Sequence, residues 1–398
     1  MFSSLKVKNF RLYWAGMLIS LVGTWIQTVA QSWLVFQLTN SAFLLGLVGF
    51  LGSFPIFLLS LFGGVLADRV NKRDILLFTQ NAFMILAFAL AILTQLKIIT
   101  PYQIMAIAFL NGIVMAFDGP ARQSMVAELV GKQHILNAIA LNSAAFNSAR
   151  IIGPALAGIF IASIGMSGCF FVNGISFFGV IAALLFIKDH KAPKRSNENH
   201  ILKDLTQGLE YIYKEKVILI LILMVGVTSL FGISYVILMP VFANHVLDSG
   251  VKGLAMLMSA AGIGALAAAL ILARMTDFKH KGRLIIYSTI IFSSGLILLS
   301  LAKTYIFAII TLVIIGWSSV TAISLINNSL QVLVPDNFRG RIMSAFMFTF
   351  AGVMPFGNLF AGSLAQSIGV SQTIFLSGII CLLFFVFVNI FFPDLRKI

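Results

Sequence analysis

Two charged side chains stand inside otherwise apolar stretches of this chain, and their chemistry comes first. Arg150 lies roughly ten residues, or about 15 Å at 1.5 Å per residue, from the nearer polar boundary of its stretch. Asp118 is the one acid well inside another stretch. A charge held in hydrocarbon is costly and is retained where it has a partner or a task. Three roles compete. The two can form a structural ion pair across about 9 Å of depth, Arg150 can receive an anionic group of a substrate, or Asp118 can carry a proton in a switch. Asp118 could instead pair with the basic loop beneath it.

Polar side chains also recur at helical spacing. Ser20, Thr24, Gln27, Thr28 and Gln31 share one face, at i, i+4, i+7, i+8 and i+11. Asn111, Met115, Asp118 and Arg122 form a second stripe, and Trp317, Thr321, Ser324, Asn328 and Gln331 a third. Thr228, Phe231, Tyr235 and Met239 mark a further face. A polar stripe turned to lipid would be costly. Each therefore faces a neighbouring helix or an aqueous cavity, and both readings stand. Amides, hydroxyls, aromatic rings and methionines suit a bulky, partly apolar organic molecule better than a sugar or a bare ion.

Other chemistries lack their residues. The five histidines lie in loops or at the ends of apolar stretches, without a second ligand at helical spacing, so no metal site is expected. The sequence has no Gly-x-x-x-x-Gly-Lys-Ser/Thr loop for a nucleotide. Cys169 and Cys381 sit singly in apolar stretches and read as packing residues. An enzyme is not expected, nor a receptor, since no loop is long enough for a ligand or signalling domain.

The elements that must carry these side chains follow from composition. Of 398 residues, 60% are hydrophobic and 10% charged, which leaves too little polar surface for a water-soluble domain. Apolar segments fall near 11–38, 42–67, 74–96, 101–124, 137–164 and 167–187, then 217–243, 249–273, 284–302, 305–331, 342–366 and 371–392. Each is long enough to cross about 30 Å of hydrocarbon. The reading is an all-α integral membrane protein of twelve transmembrane helices. It has a first bundle over 1–187, a cytoplasmic linker over 188–216 and a second bundle over 217–398. Within the linker, Ile201, Leu205, Leu209 and Ile212 recur at helical spacing and predict a short amphipathic helix at the membrane surface.

A net charge of +14 would suggest nucleic acid in a soluble protein. Here the basic residues alternate between loops. With the N-terminus in the cytoplasm, 23 of the 27 lie inside, Lys97, Lys252 and Lys303 lie outside, and Arg150 is buried. That bias follows the positive-inside rule and predicts both termini in the cytoplasm. No nucleic-acid partner is needed. The first stretch lacks a small-residue cleavage site and reads as a retained span of a plasma or inner membrane.

The halves are weakly alike. Glu128-Leu129-Val130 matches Val332-Leu333-Val334 at an offset of 204 residues, and Gly153 and Gly158 fall opposite Gly357 and Gly362. Asp68 and Asp277 are each followed by a basic turn and a new span. Parallel repeats of this kind suit a transporter that rocks one half against the other.

The segment Gly64-Val-Leu-Ala-Asp68-Arg69-Val-Asn-Lys72-Arg73 resembles the signature loop of the major facilitator superfamily, and the resemblance extends over the whole chain. The stretches Gly-Thr-Trp-Ile-Gln, Pro-Ala-Arg-Gln and Leu-Val-Pro-Asp-Asn-Phe-Arg-Gly-Arg are similar to the branch of enterobactin exporters and macrolide efflux pumps. The resemblance implies two six-helix bundles related by pseudo-two-fold symmetry, with the first, fourth, seventh and tenth spans lining a central cavity. Its candidate lining is Thr24, Gln27, Gln31, Asn111, Asp118, Arg150, Tyr235, Trp317, Ser324 and Asn328. It also implies a cytoplasmic latch, in which Asp68 meets the start of the eleventh span near Arg341, with Gly64, Arg69, Lys72 and Arg73 in the same loop. Gly64 is expected where two helices approach closely.

Arg150-Ile-Ile-Gly153-Pro154-Ala-Leu-Ala-Gly158 resembles the superfamily's Gly-Pro motif of export by antiport, with Ala149 and Ala157 where glycines are frequent. Pro154 is expected to bend the helix, and Gly153 and Gly158 to pack closely. Thr24 stands where many relatives in this branch have an acid, so coupling to a proton gradient is a family implication only. The expected activity is export of small amphipathic organic compounds by a monomer in contact with membrane lipids, without a cofactor unless a proton gradient counts as one. A lysophospholipid flippase on the same scaffold is the alternative.

Overall fold

The structure, a computed structural model, describes residues 3–187, 207, 210–274 and 280–397. The side chains of Leu61, Asp68, Lys132, Leu136, Asp336, Asn337 and Lys397 also fall outside the described set. Most of the amphipathic stretch expected in the linker, including Ile201, Leu205 and Leu209, therefore lies outside the described residues.

Among the described residues the chain is helical, with no strand. Eleven helices are long and apolar enough to cross a membrane, and one of them, Gln133–Phe186, has 54 residues. At 1.5 Å per residue that is about 80 Å, more than two bilayer thicknesses. It is interrupted at Gly165, where φ is 73° and ψ 179°. Such a left-handed φ suits a residue without a Cβ. The break divides the helix into two spans, and the count becomes twelve. Gly131, at φ 66°, separates the preceding span in the same way.

The spans are α1 Lys8–Thr39, α2 Ala42–Arg69, α3 Lys72–Gln95, α4 Pro101–Gly131, α5 133–164 and α6 166–186. They continue as α7 Lys216–Val246, α8 Gly250–Arg274, α9 Lys281–Ser300, α10 Tyr305–Leu333, α11 Phe338–Ile368 and α12 Val370–Phe391. Local sequence sets their ends. Ser41 accepts a hydrogen bond from the Leu44 amide at 3.3 Å and starts α2. Thr100 and Gln103 form a reciprocal capping box at α4, followed by Pro101 in the first turn. Asn40, in the left-handed region, ends α1.

The contacts divide the chain into two compact units. The first comprises Met1–Ser196 with Ser249–Ser259, and the second Asn197–Asp248 with Ala260–Ile398. Between apolar helices in lipid, close packing of small residues replaces hydrophobic drive. In the first unit, a Cβ on Gly16 would meet the Gly179 carbonyl, so α1 crosses α6 at near backbone contact. A Cβ on Gly63 would collide with the Ala116 carbonyl, and one on Gly112 would crowd Pro55, joining α2 to α4. In the second unit, Gly264 faces the Val313 carbonyl and Gly316 the Ala261 carbonyl, so α8 and α10 interlock through reciprocal glycines.

Each unit has its own buried cluster. In the first it gathers Phe10, Tyr13, Leu76, Met125 and Leu184, and in the second Leu221, Met224, Ile285, Ile342 and Phe385. The second unit departs from regular helix in α7 and α11. Thr228–Gly232 and Phe348–Gly352 are π turns, and Ile233–Leu238 is 3-10. There Gly357 abuts the Leu230 carbonyl and Ser234, and Phe231 meets Phe360 edge-on with centroids 5.4 Å apart. Departures of this kind often mark working parts of a helix.

Candidate functional site

In the first unit the intramembrane charges separate into one saturated cluster and one isolated residue. Asp118, on α4, is fully buried. Its Oδ1 accepts from Thr79 Oγ1 at 2.8 Å and from Gln80 Nε2 at 2.7 Å, both on α3. Its Oδ2 accepts from Arg122 Nε at 3.0 Å and Nη2 at 2.6 Å, one turn along α4. Four donors fill the acceptor capacity of a carboxylate. Tyr13, also buried, lies close enough to feel both charges. This arrangement corrects the expected pairing of Asp118 with Arg150. Arg122 wins because it is four residues away on the same helix, where an acid and a base face one another without reaching across depth.

Arg150 is half-buried on α5, 19 residues past the Gly131 break and 15 before Gly165. Among the described residues it has no hydrogen bond or ion pair. One turn earlier, exposed Phe146 meets Trp25 of α1 edge-on at 5.9 Å. One turn later, Gly153 is seated on Trp25 and the Val22 carbonyl, which leaves no room for a Cβ. Gly158 packs on Ala255, and the Ile151 carbonyl accepts from Ser259 Oγ at 3.1 Å. The close packing expected of the Gly-Pro segment is therefore present. The dihedrals stay helical through Pro154 and depart only at Gly131 and Gly165.

The α1 stripe divides in two. Gln27 Oε1 accepts from Asn173 Nδ2 of α6 at 2.7 Å, and Asn173 also engages Ser176, so this amide is an interhelical contact. Thr24 and Thr28 are exposed and turn their hydroxyls to the carbonyls of Ser20 and Thr24, at 2.9 and 2.8 Å. Gln31 and Asn111 are half-buried.

The signature loop lies at the junction of α2 and α3. Lys72 Nζ bridges Glu128 Oε1 of α4 at 2.7 Å. Arg73 donates to the carbonyls of Leu184, at 2.7 Å, and Leu185, at 3.3 Å, and so satisfies the open end of α6. Arg69 is exposed. The Asp68 side chain lies outside the described residues. Gly64 corrects its expectation: nothing lies within 4 Å of the position its Cβ would take, and the close approach belongs to Gly63, one residue earlier.

In the second unit, Tyr235 and Thr228 are buried, Trp317 is half-buried, and Ser324 and Asn328 are exposed on α10. Asn328 Oδ1 accepts from Lys281 Nζ at 2.8 Å, at the start of α9. Residues ahead of α7 reach the start of α11: Tyr211 stacks on Phe338 at 4.6 Å, and Arg341 bonds Gln207 Oε1 at 2.7 Å while lying 5.4 Å over the Phe338 ring. Lys214, 2.7 Å from Glu210, holds that exposed carboxyl below its usual range.

Sequence reasoning missed Thr79, Gln80, Glu128 and Asn173, all partners supplied from another helix. No group of three metal-ligating side chains occurs among the described residues.

The family model described as transmembrane secretion effector matches residues 1–397. The chain belongs to this family of major facilitator transporters. It is 30% identical over 390 residues to the staphyloferrin A transporter of Staphylococcus aureus, covering 95% of this chain and 96% of that one. The multidrug efflux pump Tap of Mycolicibacterium fortuitum is 24% identical, covering 94% and 93%. The enterobactin exporter EntS of Shigella boydii is 23% identical, covering 84% and 79%. Among solved structures, a D-xylose–proton symporter superposes with a TM-score of 0.78 at 14% identity, covering 97% of this chain and 99% of that one. The signature-loop residues Lys72 and Arg73 are thus parts of a major facilitator transporter, a multi-pass membrane protein and not an enzyme. In this one they tie α3 to α4 and α6.

Proposed function

We propose that this transporter exports small amphipathic organic compounds of siderophore or drug type by alternating access. The observation that carries the reading is the exposed polar face of α1, Thr24 and Thr28, in the same unit as the half-buried Arg150 at mid-span. The Arg150 guanidinium would be costly against lipid, and a water-accessible path for cargo removes that cost; the two threonines, their hydroxyls bonded to carbonyls one turn back, add polar surface to it. Relatives named for staphyloferrin A, enterobactin and multidrug transport support a cargo of this class. The Gly153-Pro154 segment, packed on Trp25 and resembling the motif of export by antiport, supports the outward direction.

The cargo path is assigned to the residues expected from sequence, less the two that bond a neighbouring helix from buried or half-buried positions; Asn328, though bonded to Lys281, is exposed and is kept. Thr24, Gln31, Asn111, Arg150, Tyr235, Trp317, Ser324 and Asn328 remain; Gln27 and Asp118 are structural. Asp68 is assigned the role of latch, with the loop that carries it held by Lys72–Glu128 and Arg73. A proton gradient is the proposed energy source. The alternating-access movement is assigned to two bundles, 1–187 and 217–398, joined in sequence by 188–216. By the bias of its basic residues the protein sits in the inner membrane with both termini cytoplasmic, as a monomer surrounded by lipid.

The test is flux in membrane vesicles carrying the protein. Staphyloferrin A and a panel of amphipathic fluorescent dyes are presented with an imposed pH gradient. Gradient-dependent accumulation in inside-out vesicles is expected; absence of flux for every compound would overturn the reading.

A further inference from the structure

We infer that Arg150 is the recognition point for a carboxylate on the cargo, so that the substrates of this transporter are amphipathic organic anions. The inference rests on the exporter reading and names its substrate class.

The argument begins with charge balance. A guanidinium cannot escape its environment by deprotonation, as a buried lysine or histidine can. Held in a membrane span, it needs a negative partner. The chain has 13 acids, of which Asp118 alone stands well inside a span. The remaining twelve lie at helix ends or in connecting segments. Asp118 has both oxygens occupied by Arg122, Thr79 and Gln80. Among the described residues the protein therefore supplies Arg150 with no intramembrane carboxylate that is not already engaged.

Lipid headgroups do not supply one either. Arg150 is at least 15 residues from each break that bounds α5, about 22 Å along the helix axis. Arg150 thus stands near the middle of its helix, where headgroups are farthest away. A cargo path brings water to the guanidinium, and the ligand it receives there brings its own charge to this depth.

The surroundings narrow its chemistry. One guanidinium matches one monoanion, and its fork pairs with the two oxygens of a carboxylate. A phosphate dianion would ordinarily call for a second cation, and α5 has none nearby among the described residues. Phe146, one helical turn away and exposed, and Trp25 against its edge offer an aromatic surface beside the charge. A carboxylate attached to an apolar or aromatic body fits both.

The experiment uses a pair of probes that differ only in charge, 2-naphthoxyacetate and 2-naphthoxyacetamide. Binding to the full-length protein in phosphatidylcholine nanodiscs is measured by calorimetry, and counterflow of both probes in proteoliposomes. Wild type is expected to bind the acid about tenfold more tightly than the amide, the difference made by a charge-assisted pair. Arg150→Gln should bring acid and amide to within about twofold of one another in affinity, and Arg150→Lys should keep part of the preference. Size-exclusion profiles and melting temperatures matching wild type show that the variants are folded.

Equal binding of both probes by wild type, binding of neither, or a preserved preference in Arg150→Gln would each overturn the inference. The underlying exporter reading is separately exposed. Counterflow of acid and amide at equal rates would keep transport and overturn the anion inference. A charge-dependent preference without counterflow would keep the inference and count against transport.

Discussion

Arg122 donates through both Nε and Nη2 to one carboxylate oxygen of Asp118, at 3.0 and 2.6 Å, while Thr79 and Gln80 hold the other oxygen. The pair is local to α4, yet two of its four bonds come from α3. It therefore fixes two helices of the first unit together at a depth where water cannot substitute for a missing partner.

Breaking one side of this pair should be costly. Asp118→Asn or Arg122→Gln is expected to lower stability by about 3–5 kcal/mol, because each leaves a buried charge uncompensated. The double variant should be less destabilised than the sum of the two. Thermal unfolding of the four proteins in detergent gives the comparison, and additive losses would contradict the pairing.

The same cluster separates structure from energy coupling. With its oxygens committed to four donors, Asp118 is a poor candidate for the proton carrier that its depth suggested. In whatever fraction of Asp118→Asn protein inserts and folds, the response of flux to an imposed pH jump should match wild type. Loss of that response with flux otherwise retained would return Asp118 to a coupling role.

Two adjacent glycines should behave oppositely. Gly63→Ala drives a Cβ into the Ala116 carbonyl and should destabilise by about 1–3 kcal/mol, as overpacking does. Gly64→Ala has open space and should be near neutral in melting temperature. Equal melting shifts would contradict the assignment of the close approach to Gly63.

The latch has its own variant. Asp68→Asn should abolish transport while leaving membrane insertion intact, and Lys72→Gln, which removes only the bridge to Glu128, should reduce it less. Flux and surface expression measured together check this. Normal flux in Asp68→Asn would reject the latch.

What could be read from the residues, and what could not, follows the range of the interactions. Spans are a matter of local composition, so the apolar segments are legible with most of their ends, and the break at Gly165 divides the helix Gln133–Phe186 into the two spans read there. The spacing of Asp118 and Arg122 was also present as an i,i+4 pair. That shared stripe does not say whether Arg150, Arg122 or the basic loop meets the acid, which depends on how α3 and α5 pack around α4. Thr79, Gln80 and Asn173 carry no local sign of their partners, since a polar residue in a span looks the same whether it meets a helix or a cavity. Gln27 and Thr24 show the consequence: they share a stripe, yet one amide is locked to α6 and the other position is exposed. Gly63 and Gly64 differ only in which side of α2 they occupy, and that depends on where α4 packs.

The central claim is outward movement of an amphipathic organic cargo in exchange for protons, and the sign of the driving gradient tests it most directly. Uptake of labelled staphyloferrin A and of the dye panel is measured in inside-out vesicles whose lumen is made acidic and, in parallel, in the same vesicles with the lumen made alkaline. Accumulation with the acidic lumen is the predicted result, and accumulation with the alkaline lumen, the sign of symport, would contradict it.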